Sequence, residues 1–394
     1  MKLMEGGKME VFILGGARTP SGSYLGSLST VPAPKLGAKA IEGALKSSNI
    51  DQQKVDEVAM GHVVQAGTGQ APARQASIFA GLPENVPCTT INKVCGSGMK
   101  TILMGAQTIG MGDADIFVAG GMENMSLAPH LLPNSRSGIR FGNYEMKDAM
   151  AWDGLQDVYT DRPMGNCAEE CASKYGFSRE EQDSYAIESF KRAQAAIEQG
   201  VFKNEIIPVT VKTRKGEVLV DQDEGPQKAN FEKMKKLRPA FDKEGTITAA
   251  NASTINDGAA AIVLASEKYK DKAKFKLVAY AGHAQSPTWF TTAPIESMKK
   301  CLNKANMSIN DIDLFEINEA FAVVTMATMK ELNLKHEKVN IYGSGVSLGH
   351  PIGCSGARIV VTLMTAMENE KSKFGMASIC IGGGEALALI LERL

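Results

Sequence analysis

Two cysteines, Cys95 and Cys380, each stand where an apolar, strand-like run breaks into glycines. Between them in the chain lies His350, the one histidine set in a glycine-rich loop. The three contexts read Asn92-Lys93-Val94-Cys95-Gly96-Ser97-Gly98, Gly349-His350-Pro351-Ile352-Gly353-Cys354-Ser355-Gly356 and Ile379-Cys380-Ile381-Gly382-Gly383-Gly384-Glu385. A free thiol is only slightly ionised at neutral pH, so a nucleophilic Cys95 needs a base or an electropositive setting. His350 is the natural base, and the small residues after Cys95 suggest a helix start whose N–H dipoles favour thiolate. Asn318 and Glu319 follow the run Leu314-Phe315-Glu316-Ile317. That puts an amide and a carboxylate at the carboxyl end of a strand, where open α/β sheets bind ligands. A cap on the following helix is the plainer role for Asn318.

Two thiols, an imidazole and an amide permit a narrow chemistry. One thiolate takes an acyl group, a second thiolate removes a proton, and glycine-rich backbone supplies N–H donors to an oxyanion. A hydrolase needs only one thiol, and a disulfide oxidoreductase favours a Cys-x-x-Cys pair that this sequence lacks. Cys88 and Cys301 sit in ordinary packing surroundings. Cys167 and Cys171 share a helical face with no ligand pair nearby, so packing is expected there and no metal site. His62 and His283 follow strands, His130 lies in an irregular stretch and His336 in a charged one, and all four are expected to be structural or solvated.

The elements that must position these groups are repeated. Val11–Pro20, a strand running into a loop, is echoed by Leu277–His283. Ile50–Val58 is echoed by Ile309–Ile317, each with a helix-cap signal before a strand. The interval from Ile50 to Ile309 equals that from Cys95 to Cys354, and both cysteines precede a small-residue helical segment carrying a basic residue, Lys100 or Arg358. Those segments lead into Ile116–Glu123 and Ala377–Glu385, strands ending in or beside glycines. Two similar α/β halves follow. The expected division is 1–126, resumed at 246–271, for the first half, 127–245 for an inserted loop region, and 272–394 for the second half. The insertion is proline-rich and charged, with one clear helix from the Ser178 cap to Gly200. Covering a ligand and contacting another subunit are its expected tasks.

At 394 residues the chain exceeds what one core usually organises. With 43 basic and 44 acidic residues it carries no global field for nucleic acid. No apolar run reaches a membrane span, and Met1–Gly7 lacks the apolar core of a secretory leader. Seven cysteines, an odd count, point to reduced thiols and a cytoplasmic protein.

Taken together these motifs resemble the thiolases over nearly the whole chain. The resemblance rests on Ala17-Arg18-Thr19-Pro20, Pro72-Ala73-Arg74-Gln75, the Cys95 block, Gly120-Gly121-Met122-Glu123, Arg238-Pro239-Ala240-Phe241, Asn251-Ala252-Ser253, Asn318-Glu319-Ala320-Phe321, and the His350 and Cys380 blocks. It implies the duplicated thiolase fold, a five-layered αβαβα sandwich with a loop domain. The implied activity is the reversible condensation of two acetyl-CoA to acetoacetyl-CoA and CoA, by a ping-pong route with coenzyme A thioesters as substrates and no tightly bound cofactor. Cys95 is then the acylated nucleophile, His350 its base and an oxyanion donor, and Cys380 the acid/base at the substrate α-carbon. Asn318 holds a water in the oxyanion site, and Cys95 and Gly382 donate backbone N–H groups to a second one. Glu319 orients its neighbours. Ser253, Leu155 and Met164 match positions along the coenzyme A channel, and the segment 126–144 resembles a loop that joins dimers into a homotetramer.

The sequence also departs from the pattern it resembles. Pro163 and Gln227 replace basic or histidine residues near the coenzyme, Ser344 replaces a glycine, Glu385-Ala386 replaces Met-Gly, and Trp289-Phe290 stands in the loop beside the acyl pocket. A 3-ketoacyl-CoA thiolase of broader chain length is therefore an alternative. A ketosynthase would carry a second histidine in place of Cys380, and the intact residue set argues against a mere coenzyme A or lipid binding module.

Overall fold

The computed structural model describes residues 10–138 and 140–394; the Met1–Gly7 stretch considered above lies outside the described residues. The strands Cys88–Ile91, Glu57–Gly61, Ile116–Asn124, Asn256–Ala265 and Phe12–Arg18 lie side by side in that order. The first three run parallel, and Asn256–Ala265 is antiparallel to both its neighbours. The second half repeats the order as Leu314–Ile317, Phe374–Ile381, Glu385–Arg393 and Phe275–Ala284, with Val339 bridging Phe315 in the place of Cys88–Ile91. Phe12 and Ile13 pair with Lys276 and Phe275, so the two sheets meet along one short edge.

Two helices, Ser97–Met111 and Ile352–Asn369, fill the space between the sheets. Met99, Ile102 and Leu103 of one and Ile359, Val360 and Leu363 of the other share a core with Ile262 and Leu264 of the first sheet and Ile379 and Leu389 of the second. Every residue of the second helix from Ile352 to Met367 is buried, with its polar Arg358 bonded to Glu316 and Ser344. Ala33–Ser48 and Pro72–Phe79 cover the outer face of the first sheet, and Ala293–Ala305 and Ala322–Leu332 that of the second. The expected five layers, αβαβα, are the observed ones.

The central helices touch at glycines. A Cβ on Gly98 would sit 2.7 Å from the Ala357 nitrogen, and one on Gly356 would sit 2.4 Å from the Met99 nitrogen. No larger side chain fits either place. Because each contact lies in a helix's first turns, the residues just before the two helices, Cys95 and His350, are carried to the same region.

The insertion is more helical than its sequence suggests. Arg179–Glu198 forms with the expected Ser178 cap, which Glu181 closes into a capping box, and Met164–Tyr175 is a second helix, the one whose face Cys167 and Cys171 share. Its buried face is made of small residues, Gly165, Cys167, Ala168, Cys171 and Ala172. Cys167 and Cys171 pack in the apolar interior, as expected.

A buried ion cluster ties the insertion to the first sheet. The Arg18 guanidinium donates to both Asp223 carboxylate oxygens at 2.7 and 2.9 Å and to Glu205 at 2.5 Å, all three side chains being fully enclosed. Replacing Arg18 by Ala strands two carboxylates, and an Arg18→Ala variant should lose about 3–5 kcal/mol in urea unfolding. A loss below about 1 kcal/mol would show that the cluster does not anchor the insertion.

Candidate active site

Cys95 sits in a taut turn between Cys88–Ile91 and the helix beginning at Ser97. Val94 has φ +45°, a left-handed conformation that strains a β-branched residue. The turn is held by Val94 N–H donating to Asn92 Oδ1 at 2.9 Å, Lys93 N–H to Ser97 Oγ at 2.8 Å, and Ser97 Oγ–H to the Val94 carbonyl at 2.7 Å. Cys95 is partly exposed and lines a cavity of about 820 Å³. Burial pushes its thiol up to about 11, opposed by hydrogen bonds from the Gly382 and Cys95 backbone N–H groups. The helix-start setting therefore does not make a resting thiolate: loss of hydration outweighs the nearby N–H dipoles.

His350 follows Gly349, whose φ of +93° and close contact with Asn256 exclude a side chain. Its Nδ1 lies 2.5 Å from Ser355 Oγ, and Ser355 donates its own proton to the Pro351 carbonyl at 2.9 Å. The hydroxyl oxygen must then accept from Nδ1–H, which assigns the tautomer with a bare lone pair on Nε2. Nε2 is buried with no protein partner, and His350 lines the same cavity as Cys95. Burial, assisted by the Arg358 charge, lowers its pKa to about 3, so the imidazole is neutral at physiological pH.

Cys380 lies within the strand Phe374–Ile381, opposite Ala386, and is fully buried. It packs with Phe290, Ala320 and Phe321, which line the cavity. Burial raises its pKa well above the ordinary thiol range, and the nearby Cys95 raises it further. After it, Gly383 and Gly384 take consecutive left-handed conformations, φ +91° and +86°, and Gly382 lies against the Cys95 turn, where a Cβ on it would sit 3.6 Å from Val94 Cγ1.

Asn318 does not cap the next helix, where Phe321 holds the cap position without a side-chain bond. Its side-chain oxygen and nitrogen are both buried and without a protein partner. A buried polar atom left so costs about 1–3 kcal/mol, and such groups mark functional sites. Glu319, beside it, accepts from Tyr185 and Ser189 hydroxyls at 2.8 Å, Asn340 Nδ2 at 2.9 Å and Val346 N–H at 3.1 Å. A carboxylate so fully engaged fixes the strand end.

The cavity wall includes Gly382, Ser253, Leu155 and Met164. Phe290 lines it, whereas Trp289 lies under the Lys174 ammonium, 4.5 Å from its ring centroid. Gln227 bonds Gln222, and positive charge on the wall comes from Lys228 and Lys233, which the sequence reading missed for want of any local signal. Phe241 and Phe321 were likewise not anticipated as wall residues of a site. Of the remaining histidines, His62 is buried against Glu123 at 3.2 Å, His283 bonds Gln285 and Lys300, His336 stacks on Tyr185, and His130 is exposed. The arrangement offers a thiol and an unpartnered imidazole nitrogen on one cavity, the Gly382 backbone on the same wall, and a second, buried thiol near the first.

Comparison with known proteins agrees in extent and kind. Residues 11–268 match the family "Thiolase, N-terminal domain" and residues 270–393 match "Thiolase, C-terminal domain". The chain is 50% identical over 392 residues to acetyl-CoA acetyltransferase 2 of Arabidopsis thaliana, covering 98% of this chain and 97% of that one. It is 49% identical over 391 residues to the mitochondrial acetyl-CoA acetyltransferase of Rattus norvegicus, covering 98% and 91%. Among solved structures, the Acat5 thiolase from Ascaris suum in complex with coenzyme A superposes with a TM-score of 0.93 at 44% identity, covering 98% of this chain and all of that one. The Bacillus anthracis acetyl-CoA acetyltransferase superposes at 0.95 and 40% identity, covering 98% and 99%.

The lowered His350 pKa has a consequence for stability. As pH falls below about 6.5 the unfolded chain protonates this histidine, while the folded chain resists until about 3, so stability is lost through that window. His336, lowered to about 4 by burial and Arg192, adds the same sign. Relative to wild type, the unfolding midpoint of His350→Asn should decline less, or rise more, as pH falls from 6.5 to 4. An imidazole NMR signal of His350 titrating near 6.5 would contradict the assignment.

Proposed function

Since the chain belongs to the thiolase family, we propose that it transfers acetyl groups between coenzyme A thioesters, joining two acetyl-CoA into acetoacetyl-CoA and CoA and running the reverse thiolysis. The observation that carries this reading is the unpartnered Nε2 of His350 in one cavity with Cys95 and Gly382.

As the Cys95 sulfur attacks the thioester carbonyl, its proton passes to His350 Nε2. The carbonyl oxygen of the acyl group takes the N–H groups of Cys95 and Gly382. Cys380, a neutral thiol at rest, gives its proton to the departing CoA sulfur. The Cys380 thiolate so formed is strongly basic because it is buried, and it takes a methyl proton from the second acetyl-CoA. The enolate oxygen is held by His350 Nε2–H and by a water on Asn318, and the carbanion attacks the acyl carbon. The Cys95 sulfur then leaves and recovers its proton from His350. Loss of one oxyanion donor costs about 10²–10³ in rate. Ser253, Leu155 and Met164 flank the coenzyme arm, and Lys228 and Lys233 attract its phosphates.

The aromatic wall of Phe241, Phe290 and Phe321 favours a short acyl group over the broader chain lengths of the alternative. We take 1–126 with 246–271 as the first half, which the pairing of Asn256–Ala265 beside Phe12–Arg18 supports, 127–245 as the loop domain and 272–394 as the second half. A homotetramer is part of this reading, supported by the exposed apolar Leu127, Leu132, Phe141 and Met146. So is a cytoplasmic location, supported by seven free thiols; among the described residues no helix is long and apolar enough to cross a membrane.

Mass spectrometry of Cys95→Ser with acetyl-CoA should show no acyl-enzyme, while Cys380→Ser should acylate and fail in carbon–carbon bond formation and cleavage. Equal acylation of both variants would refute the roles. Thiolysis across 3-ketoacyl-CoA lengths should decline beyond four carbons, and Phe290→Ala should shift the preference to longer chains by about tenfold, the scale of ~1–3 kcal/mol for a methylene or more in an apolar pocket. An unchanged length profile would remove Phe290 from that role.

A further inference from the structure

Lys93 and Glu385 form an ion pair that none of the chemistry above uses. Lys93 lies two residues before Cys95, and Glu385 three residues after Gly382. Their side chains are 26% and 39% exposed, at the rim of the site. The pair thus bridges the two turns that set Gly382 beside Val94, where a Cβ on Gly382 would stand 3.6 Å from Val94 Cγ1, and on one cavity with Cys95.

Both turns are under constraint, and each is held by bonds within its own half. The Cys95 turn carries the strained Val94, kept in place by the Asn92 and Ser97 hydrogen bonds already described. The glycine turn is held from outside by Gln285, whose N–H donates to the Gly384 carbonyl at 2.8 Å, and Glu385 continues at once into strand pairing with Ala284 and Ile381. Between the two turns, contact is apolar: a Cβ on Gly96 would meet the Ile381 Cδ1 at 2.4 Å. Such packing limits approach but does not prevent the turns from sliding or parting. A directed bond does both, and the Lys93–Glu385 pair is the charged link across this gap.

We propose that Lys93 and Glu385 are positioning residues, which hold the N–H of Gly382 against the Cys95 sulfur and so preset the oxyanion site of the acyl-enzyme. This rests on the reading that Cys95 carries the acyl group. Since oxyanion donors act on the transition state more than on the bound substrate, the pair contributes to kcat and leaves the coenzyme A contacts alone. A partly exposed pair is worth little and is screened by salt, which limits the effect and supplies its signature.

The test compares wild type, Glu385→Gln, Lys93→Met and the exchanged pair Lys93→Glu with Glu385→Lys, in acetoacetyl-CoA thiolysis. Each single variant should lower kcat about two- to fivefold with KM and melting temperature unchanged. The exchanged pair should recover at least half of the loss. Raising salt to about 1 M should lower kcat of the wild type toward that of the single variants, whose own rates stay flat. Single variants with wild-type kcat, or losses of kcat and melting temperature together without recovery in the exchanged pair, overturn the proposal. Failure of the underlying reading is separate: it would appear as acylation persisting in Cys95→Ser.

Discussion

The close crossing of the two central helices is the constraint on which the rest of the structure depends. Gly98 and Gly356 let the backbones approach to a distance that any Cβ would forbid, and they do so in the first turns of both helices. The loops that deliver Cys95 and His350 therefore converge, although they belong to different halves of the chain. Two apolar sheets close over the helices, and burying both sheets' inner faces is what presses the crossing together.

The same burial governs the chemistry. In this interior the first cause of every thiol and imidazole shift in the site is loss of hydration, which favours the uncharged form. The resting cavity holds a neutral thiol and a neutral imidazole rather than a thiolate–imidazolium pair. A group made reluctant to ionise is also a strong base once its proton has gone, which suits Cys380 to removing a proton from a weakly acidic carbon. Charge appears only during reaction, where fixed N–H donors wait for it.

Around this apolar centre, polar clusters keep the loops in register. Glu319 draws the helix Arg179–Glu198, Asn340 and Val346 to the strand end that bears Asn318. Ser344 donates to Glu316 at 2.7 Å and accepts from Arg358 at 3.0 Å. Ser344, where the resembled pattern has glycine, thus completes a buried network in which burial pushes Glu316 up to about 8 against the pull of Arg358.

The sequence by itself determined the duplication, the α/β layers, the glycine-flanked thiols and histidine, and the capped helix at Ser178, because each is a local pattern of side-chain type and spacing. It singled out Cys95 by its glycine setting, while the burial that raises its thiol pKa depends on every atom packed around the sulfur. It left Asn318 between a cap and a site, and folding removed the cap role and left the amide without a protein partner. The lysines at the cavity wall and the separation of Phe290 from Trp289 were not legible for the same reason. Which residues share a cavity is fixed by distances between remote segments, and those distances are set by packing, in which the letters along one segment have no part.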